Sequence, residues 1–117
     1  MVNIFQKYFM CSALTLFMCS ANAAEWHTIG AGNATCEHWK QANATKKAEV
    51  LSWMAGFSSA ANIERASEGR PVFRLELLTY DYLRQEIDST CSNLKNKDER
   101  MYSILFRLLT AFPTVDK

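Results

Sequence analysis

Cysteine is the residue type in this chain best suited to covalent chemistry, and 4 of the 117 residues are cysteines. Cys11 and Cys19 lie in an apolar N-terminal stretch, whereas Cys36 and Cys91 lie in the remainder of the chain. Redox-active pairs are usually spaced Cys-x-x-Cys, and a structural zinc site needs four ligands, of which the sequence around Cys36 and Cys91 offers three at most. In an exported chain, this pair therefore predicts a structural disulfide between Cys36 and Cys91 and no metal site.

The other residue types that carry catalysis do not form a recognisable motif. His27 and His38 are the two imidazole groups, and neither belongs to a catalytic triad pattern. The sequence also lacks phosphate-binding, dinucleotide-binding and zinc-protease motifs. Carboxylates such as Glu86 and Asp88 are two residues apart, so a helix would turn them to different faces. We therefore predict a non-enzymatic protein with no catalytic residue and no cofactor.

The N-terminal stretch has the pattern of a secretory signal peptide. Lys7 precedes an apolar run at 8–19, and small residues follow at the two positions that signal peptidase reads, ending at Ala23. As a helix, this run is too short to cross a hydrocarbon core of about 30 Å. We expect a signal peptide at 1–23, a single helical domain at 24–117, a periplasmic location and no stable membrane insertion after cleavage.

The charge balance after the leader argues against nucleic acid as a partner. Removal of the leader takes one lysine with it and leaves 12 basic and 12 acidic residues, so the remaining domain is formally neutral. Non-specific binding of nucleic acid depends on phosphate neutralisation by an excess of basic residues. We therefore expect protein partners and no nucleic acid.

A domain this small also has a limited interior, and a homodimer would cover part of its apolar surface.

The positioning elements are predicted to be four helices. Thr35 is expected to cap a short first helix that reaches about Asn43 and places Trp39 near the disulfide. The second helix is expected to start at Thr45 and to end at Gly69, where Pro71 follows soon after. Its apolar stripe is Val50, Trp53, Met54, Phe57 and Ala61.

Gly56 lies in the middle of the second helix, among other small residues. A glycine there costs about 1 kcal/mol relative to alanine, which suggests a compensating packing role. We expect a partner helix to approach closely at this surface, made by Ala55, Gly56, Ser59 and Ala60.

Two further helices follow a segment, 72–78, whose pattern fits a loop, a short strand or an early helix. The third helix is expected to start near Thr79 and to bury Leu83, Ile87, Cys91 and Leu94. The fourth is expected to be capped by Asn96 or Asp98 and to end at Pro113, with an apolar face made by Met101, Ile104, Leu105, Leu108, Leu109 and Phe112. The predicted fold is an all-α, irregular or orthogonal four-helix bundle in which the disulfide joins the first helix to the third.

Short motifs occur in a fixed order along this domain. A Thr-Cys-Glu start is followed by an aromatic residue at Trp39, the long helix carries a Trp-x-x-Gly-Phe-x-Ser-x-x-Asn pattern from Trp53 to Asn62, and the second cysteine ends the third helix. This layout resembles the HdeA-like small periplasmic proteins with a single disulfide. The resemblance implies a helical domain that holds unfolding client proteins in acid, as an acid-stress chaperone does. Protonation of its carboxylates would leave this domain with a charge near +14, which loosens packing by self-repulsion.

A weaker resemblance is to the periplasmic immunity proteins of type VI secretion systems, which are also helical and disulfide-bonded. It implies a different function, the binding of one dedicated partner, as in an immunity or a secretion-associated accessory protein. Such a protein needs a charged or aromatic protrusion that matches its partner. The segment 63–80 is the expected location, with Arg65, Arg70, Pro71, Phe73 and Arg74.

Three aromatic side chains are the candidate binding residues. Trp39, Trp53 and Phe57 recur at helical spacing, which is more typical of a core than of a binding surface. We therefore expect a core role first and a binding role second. Their partner would be either unfolding clients or one dedicated protein.

Overall fold

The computed structural model describes residues 30–115, which form four α-helices and one two-stranded antiparallel sheet. The helices are α1 (Cys36–Gln41), α2 (Ala44–Ser67), α3 (Tyr80–Cys91) and α4 (Met101–Thr110), and the strands are β1 (Val72–Phe73) and β2 (Thr114–Val115). Short 3-10 turns lie at Gly30–Asn33, Leu75–Leu77 and Leu94–Asn96. The predicted all-α fold class is confirmed. The leader predicted at 1–23 lies outside the described residues.

Side-chain caps begin three of the four helices. Thr35 and Thr79 cap α1 and α3, as predicted. The predicted start of α2 at Thr45 is wrong, because Asn43 lies upstream and its Oδ1 accepts the backbone N–H of Lys46 at 2.9 Å. Asparagine is among the best N-cap residues, so the helix begins two residues earlier than a cap by Thr45 would place it. At the other end of α2, Gly69 has a φ of +69°, as expected for a glycine that ends a helix.

The start of α4 is fixed by backbone pairing. A cap by Asn96 or Asp98 was expected and is wrong, since the N-cap position is Arg100 and no side chain caps it. Instead, the N–H of Met101 donates to the carbonyl of Ala34 at 2.9 Å, next to an isolated bridge between Arg100 and the start of α1. This long-range pairing replaces the side-chain cap and ties α4 to α1.

The segment that the sequence left open contains a strand and a turn. β1 pairs with β2 in antiparallel register, with Val72 opposite Val115 and Phe73 opposite Thr114. The 3-10 turn Leu75–Leu77 then leads into α3. The two strands place the end of α2 beside the end of α4.

The core surrounds the disulfide. The predicted bond between Cys36 and Cys91 is confirmed; it joins α1 to α3, and both cysteines are buried. The buried apolar side chains around it come from all four helices: Trp39, Val50, Leu51, Met54, Leu83, Ile87, Met101, Ile104, Leu105 and Leu109. Leu94 was expected on the buried face of the third helix and is 80% exposed, because α3 ends at Cys91.

The buried part of the domain satisfies its own polar groups. Among residues 30–115, every buried side-chain nitrogen or oxygen has a hydrogen-bond partner. The one buried hydroxyl in the core, that of Ser58, donates to the carbonyl of Met54 at 2.8 Å. No helix within this range is both long and apolar enough to span a bilayer.

Candidate protein-binding groove

A groove of about 680 Å³ lies between α2 and α4. The strand pair closes one end. Its lining is mostly apolar and includes four phenylalanines, with two arginines and one glutamate on the α2 side: Phe57, Ala61, Glu64, Arg65, Arg70, Phe73, Phe106, Leu109, Thr110, Phe112 and Thr114. A concave, aromatic surface with a few charged groups is typical of a site that binds a protein side chain.

The aromatic floor continues beyond the groove as a ladder of four rings. Trp53 stacks on Phe57 with ring centres 5.4 Å apart. Phe57 meets Phe106 edge to face at 5.5 Å, and Phe106 meets Tyr102 at 6.2 Å. All four side chains are half-buried, so each ring packs on its neighbours and also presents an edge or a face to solvent. The ladder joins α2 to α4 through the contact between Phe57 and Phe106, both of which line the groove.

Arg65 is one of the charged side chains in the groove wall. Its Nε donates to the carbonyl of Pro71 at 2.5 Å, and its guanidinium lies over the ring of Phe73, 4.4 Å from the ring centre. None of the ion pairs within residues 30–115 involves Arg65, whereas Arg70 is paired with Glu68. Arg65 is therefore held in place with its charge available for a carboxylate from outside.

The strand pair is attached to α2 by one amide side chain. The Nδ2 of Asn62 donates to the carbonyl of Phe73 at 2.8 Å, and the N–H of Phe73 donates to the Oδ1 of Asn62 at 2.7 Å. Both bonds are partly buried. Asn62 thus holds β1 against α2 and positions Phe73 in the groove.

The structure places the three predicted binding residues differently. Trp39 is 2% exposed and belongs to the core, where its Nε1 donates to Asp88 at 2.7 Å and Lys47 lies over its ring. Trp53 and Phe57 are half-buried and belong to the aromatic ladder. Trp39 is therefore a core residue, whereas Trp53 and Phe57 remain candidates for a binding surface.

The expected helix contact at Gly56 is wrong. No neighbouring heavy atom lies within 4 Å of the place where its Cβ would be, and the residue is exposed. Gly32, for which the sequence suggested no role, is the tightly packed glycine, because a Cβ there would lie 2.5 Å from Cη2 of Trp53. The 3-10 turn Gly30–Asn33 therefore packs against the end of the aromatic ladder.

The segment 63–80 was expected to form a protrusion. Its residues Arg65, Arg70 and Phe73 instead line the groove wall, and Phe73 also packs on the core. Arg74 lies outside the groove and pairs with Glu76 at 2.8 Å. This hydrogen bond holds the pKa of Glu76 below its usual value.

No binding role was predicted from the sequence for Phe106 and Thr114, which line the groove, or for Asn62, which holds β1 against α2. Phe106 was not counted in the apolar face of the fourth helix, because it lies off the stripe that enters the core. Asn62 and Thr114 both contact Phe73, which belongs to another element of the fold, so no local pattern shows what these two residues do. A surplus phenylalanine beside an already complete apolar stripe is the one sequence signal available.

The remaining candidate sites are His38, a possible metal site and a second cavity. His38 completes a capping box with Thr35, in which its Nδ1 accepts the N–H of Thr35 at 3.1 Å. In the described part of the chain, no three His, Cys, Asp or Glu side chains lie close enough to hold a metal ion. A second cavity of about 310 Å³ lies between the Gly30–Asn33 turn, α1 and the start of α2.

No family model, no curated protein and no solved structure matches this chain.

Proposed function

We propose that this chain is an exported, non-enzymatic protein-binding domain that binds its partner in the groove between α2 and α4. The observation that carries the proposal is the combination of four phenylalanines and Arg65 in one open groove. Buried aromatic residues and arginine are the residue types that contribute most to protein interfaces. The export part of the proposal depends on the signal-peptide pattern of residues 1–23.

Of the two kinds of partner, a dedicated protein is better supported than unfolding clients. An acid-stress chaperone conceals its apolar surface until acid loosens the fold. Here the groove is open in the folded domain, and Arg65 is fixed by its bond to Pro71 and its contact with Phe73. A preformed, rigid site favours one matching partner because less conformational entropy is lost on binding.

The test blocks the groove without removing any packing. Ala61 is a groove-lining residue on α2, and Ala60 is its exposed neighbour outside the groove. We expect Ala61→Trp to fill the groove and Ala60→Trp to leave it open. The two variants add the same side chain to the same helix, so Ala60→Trp is a matched control.

The oxidised wild-type protein would be used to capture a partner from periplasmic extract at neutral pH, and the purified partner would then be titrated against each variant. We expect Ala61→Trp to weaken binding at least ten-fold and Ala60→Trp to change it little. Equal affinities for the two variants would contradict the proposed site. Suppression of the aggregation of an unrelated client at about pH 2 but not at about pH 7, unaffected by Ala61→Trp, would favour the chaperone function instead.

A further inference from the structure

The two outer edges of the β1–β2 pair are treated differently by the rest of the domain. On the β1 side, Asn62 bonds both the N–H and the carbonyl of Phe73. A side-chain amide thus takes the place that a neighbouring strand would occupy, and this edge is closed. On the β2 side, Thr114 and Val115 are exposed.

The backbone of Thr114 points outward at that open edge. Phe73 lies opposite Thr114 and gives both of its backbone bonds to Asn62, so Phe73 and Thr114 form a non-hydrogen-bonded pair. In such a pair, the N–H and carbonyl of each residue point away from the other strand. Consistent with this register, the next pair does bond, through the N–H of Arg74 and the carbonyl of Pro113 at 2.9 Å. Among residues 30–115, no group bonds the N–H or the carbonyl of Thr114.

This open edge adjoins the groove. Phe73 and Thr114 both line the groove, so their side chains lie on the same face of the strand pair. A third strand beside β2 would direct alternate side chains to that face. Those side chains would meet the phenylalanines and the guanidinium of Arg65, which takes part in none of the ion pairs within residues 30–115.

We propose that the partner of this domain supplies an extended segment that pairs with Thr114 as a third strand. The segment carries a large apolar residue on the groove face and a carboxylate within reach of Arg65. Its two bonds to the Thr114 backbone fix direction and register, and the groove supplies most of the affinity. This inference rests on the proposed function, which itself holds for any shape of partner.

A random peptide library of about a dozen residues per peptide, displayed on phage and selected on the oxidised wild-type protein, provides the probe. Selected peptides that bind the wild type but not Ala61→Trp are taken forward as groove ligands. We expect them to alternate apolar and polar residues and to include an acidic residue. A library that yields no such peptide, or only peptides with helical periodicity, overturns the proposal.

Single N-methylation along a selected peptide then tests strand pairing without changing the protein. A peptide amide that donates to the carbonyl of Thr114 should lose about ten-fold in affinity when methylated, whereas the amides on either side of it should tolerate the change. This alternation is specific to a paired strand, because a helical peptide loses its own backbone bonds at every interior position. Uniform tolerance or a contiguous block of sensitive positions overturns the proposal.

On the protein, Thr114→Pro removes the outward N–H and Thr114→Ala keeps it. The β1–β2 pairing does not use this N–H, so both variants should unfold at similar urea concentrations. We expect Thr114→Pro to bind the selected peptide about five-fold more weakly than Thr114→Ala, because the two variants both lose the threonine side chain and differ in the outward N–H. In the wild type, the Thr114 amide should exchange with solvent at least ten-fold more slowly when the peptide is bound.

If the exchange rate of the Thr114 amide is unchanged by the peptide, and Thr114→Pro and Thr114→Ala bind the peptide equally, the proposed third strand is wrong. If Ala61→Trp still abolishes binding of the captured protein partner, the proposed function stands and only the strand-pairing proposal is wrong. If Ala61→Trp also has no effect, both fail.

Discussion

The same substitution, glycine to alanine, should change stability in opposite directions at two positions of this domain. At Gly32, a Cβ would lie 2.5 Å from Cη2 and 2.7 Å from Cε2 of Trp53, so the indole must move. Overpacking of this kind costs about 1–3 kcal/mol, and the smaller entropy of the unfolded alanine chain returns about 0.4–1 kcal/mol. The expected net loss for Gly32→Ala is therefore about 1–2 kcal/mol.

At Gly56, by contrast, the added methyl group meets nothing within 4 Å and the residue lies inside α2. Alanine is about 1 kcal/mol more favourable than glycine in a helix interior. Gly56→Ala should therefore stabilise the domain by about 1 kcal/mol. The two variants should differ by about 2–3 kcal/mol, which is a large share of the roughly 5–15 kcal/mol that stabilises a typical domain.

Urea unfolding of the oxidised protein, followed by far-UV circular dichroism, measures both effects. With a slope near 1 kcal/mol per molar urea, the midpoint should fall by about 1–2 M for Gly32→Ala and rise by about 1 M for Gly56→Ala. Because Trp53 stacks on Phe57, Gly32→Ala should also weaken partner binding although Gly32 does not line the groove. A Gly32→Ala midpoint equal to or above that of the wild type would refute the packing of the Gly30–Asn33 turn on the ladder.

Three further predictions concern the core and one surface carboxylate. Replacing both Cys36 and Cys91 by alanine should cost about 4 kcal/mol, since their bond closes a loop with a sequence separation of 55; an unchanged urea midpoint would contradict this. Trp39→Phe removes the bond to Asp88 and leaves core volume unfilled, so it should lower the free energy of unfolding by more than the ~1 kcal/mol of the bond alone. Asp88→Asn keeps an acceptor and should lower it less in the same assay. The hydrogen bond from Arg74 lowers the pKa of Glu76, so the contribution of Glu76 to stability is present above the usual carboxyl pKa and is lost as the pH falls below it. In thermal unfolding, the difference between wild type and Glu76→Gln should therefore shrink as the pH is lowered through and below the usual carboxyl pKa.

Local patterns were sufficient to predict the helices. Thr35 and Thr79 cap helices because a hydroxyl before an apolar periodic segment satisfies the first free N–H groups, and that interaction is contained within four residues. Where two cap residues lie close together, as Asn43 and Thr45 do, N-cap preference favours asparagine, so the correct start of α2 was within reach of local reasoning. Leu94 continues the apolar spacing of the third helix, yet the helix ends three residues earlier, so periodicity overestimated the helix length.

The groove was predictable only in part, because its key contacts join residues far apart in the chain. Trp53 and Phe57 could be recognised from their spacing, but their exposure depends on what α4 leaves uncovered. The bonds from Asn62 to Phe73 span 11 residues and cross from a helix to a strand. Thr114 has no feature of its own, and it matters only because of the residue that lies opposite it.

The position of the disulfide divides the groove between a covalently closed loop and an open tail. Residues 36–91 form the loop and contain α2 and β1, whereas α4 and β2 lie outside it. A pulling force applied at the two ends of the domain would bypass the loop through the sulfur bridge and act directly on α4. The wall that carries Phe106 would then detach while α2 stays under no load, and about 190 Å of chain, at ~3.4 Å per residue, would extend only after reduction of the bond. Mechanical tension would thus release a groove-bound partner before the oxidised core gives way.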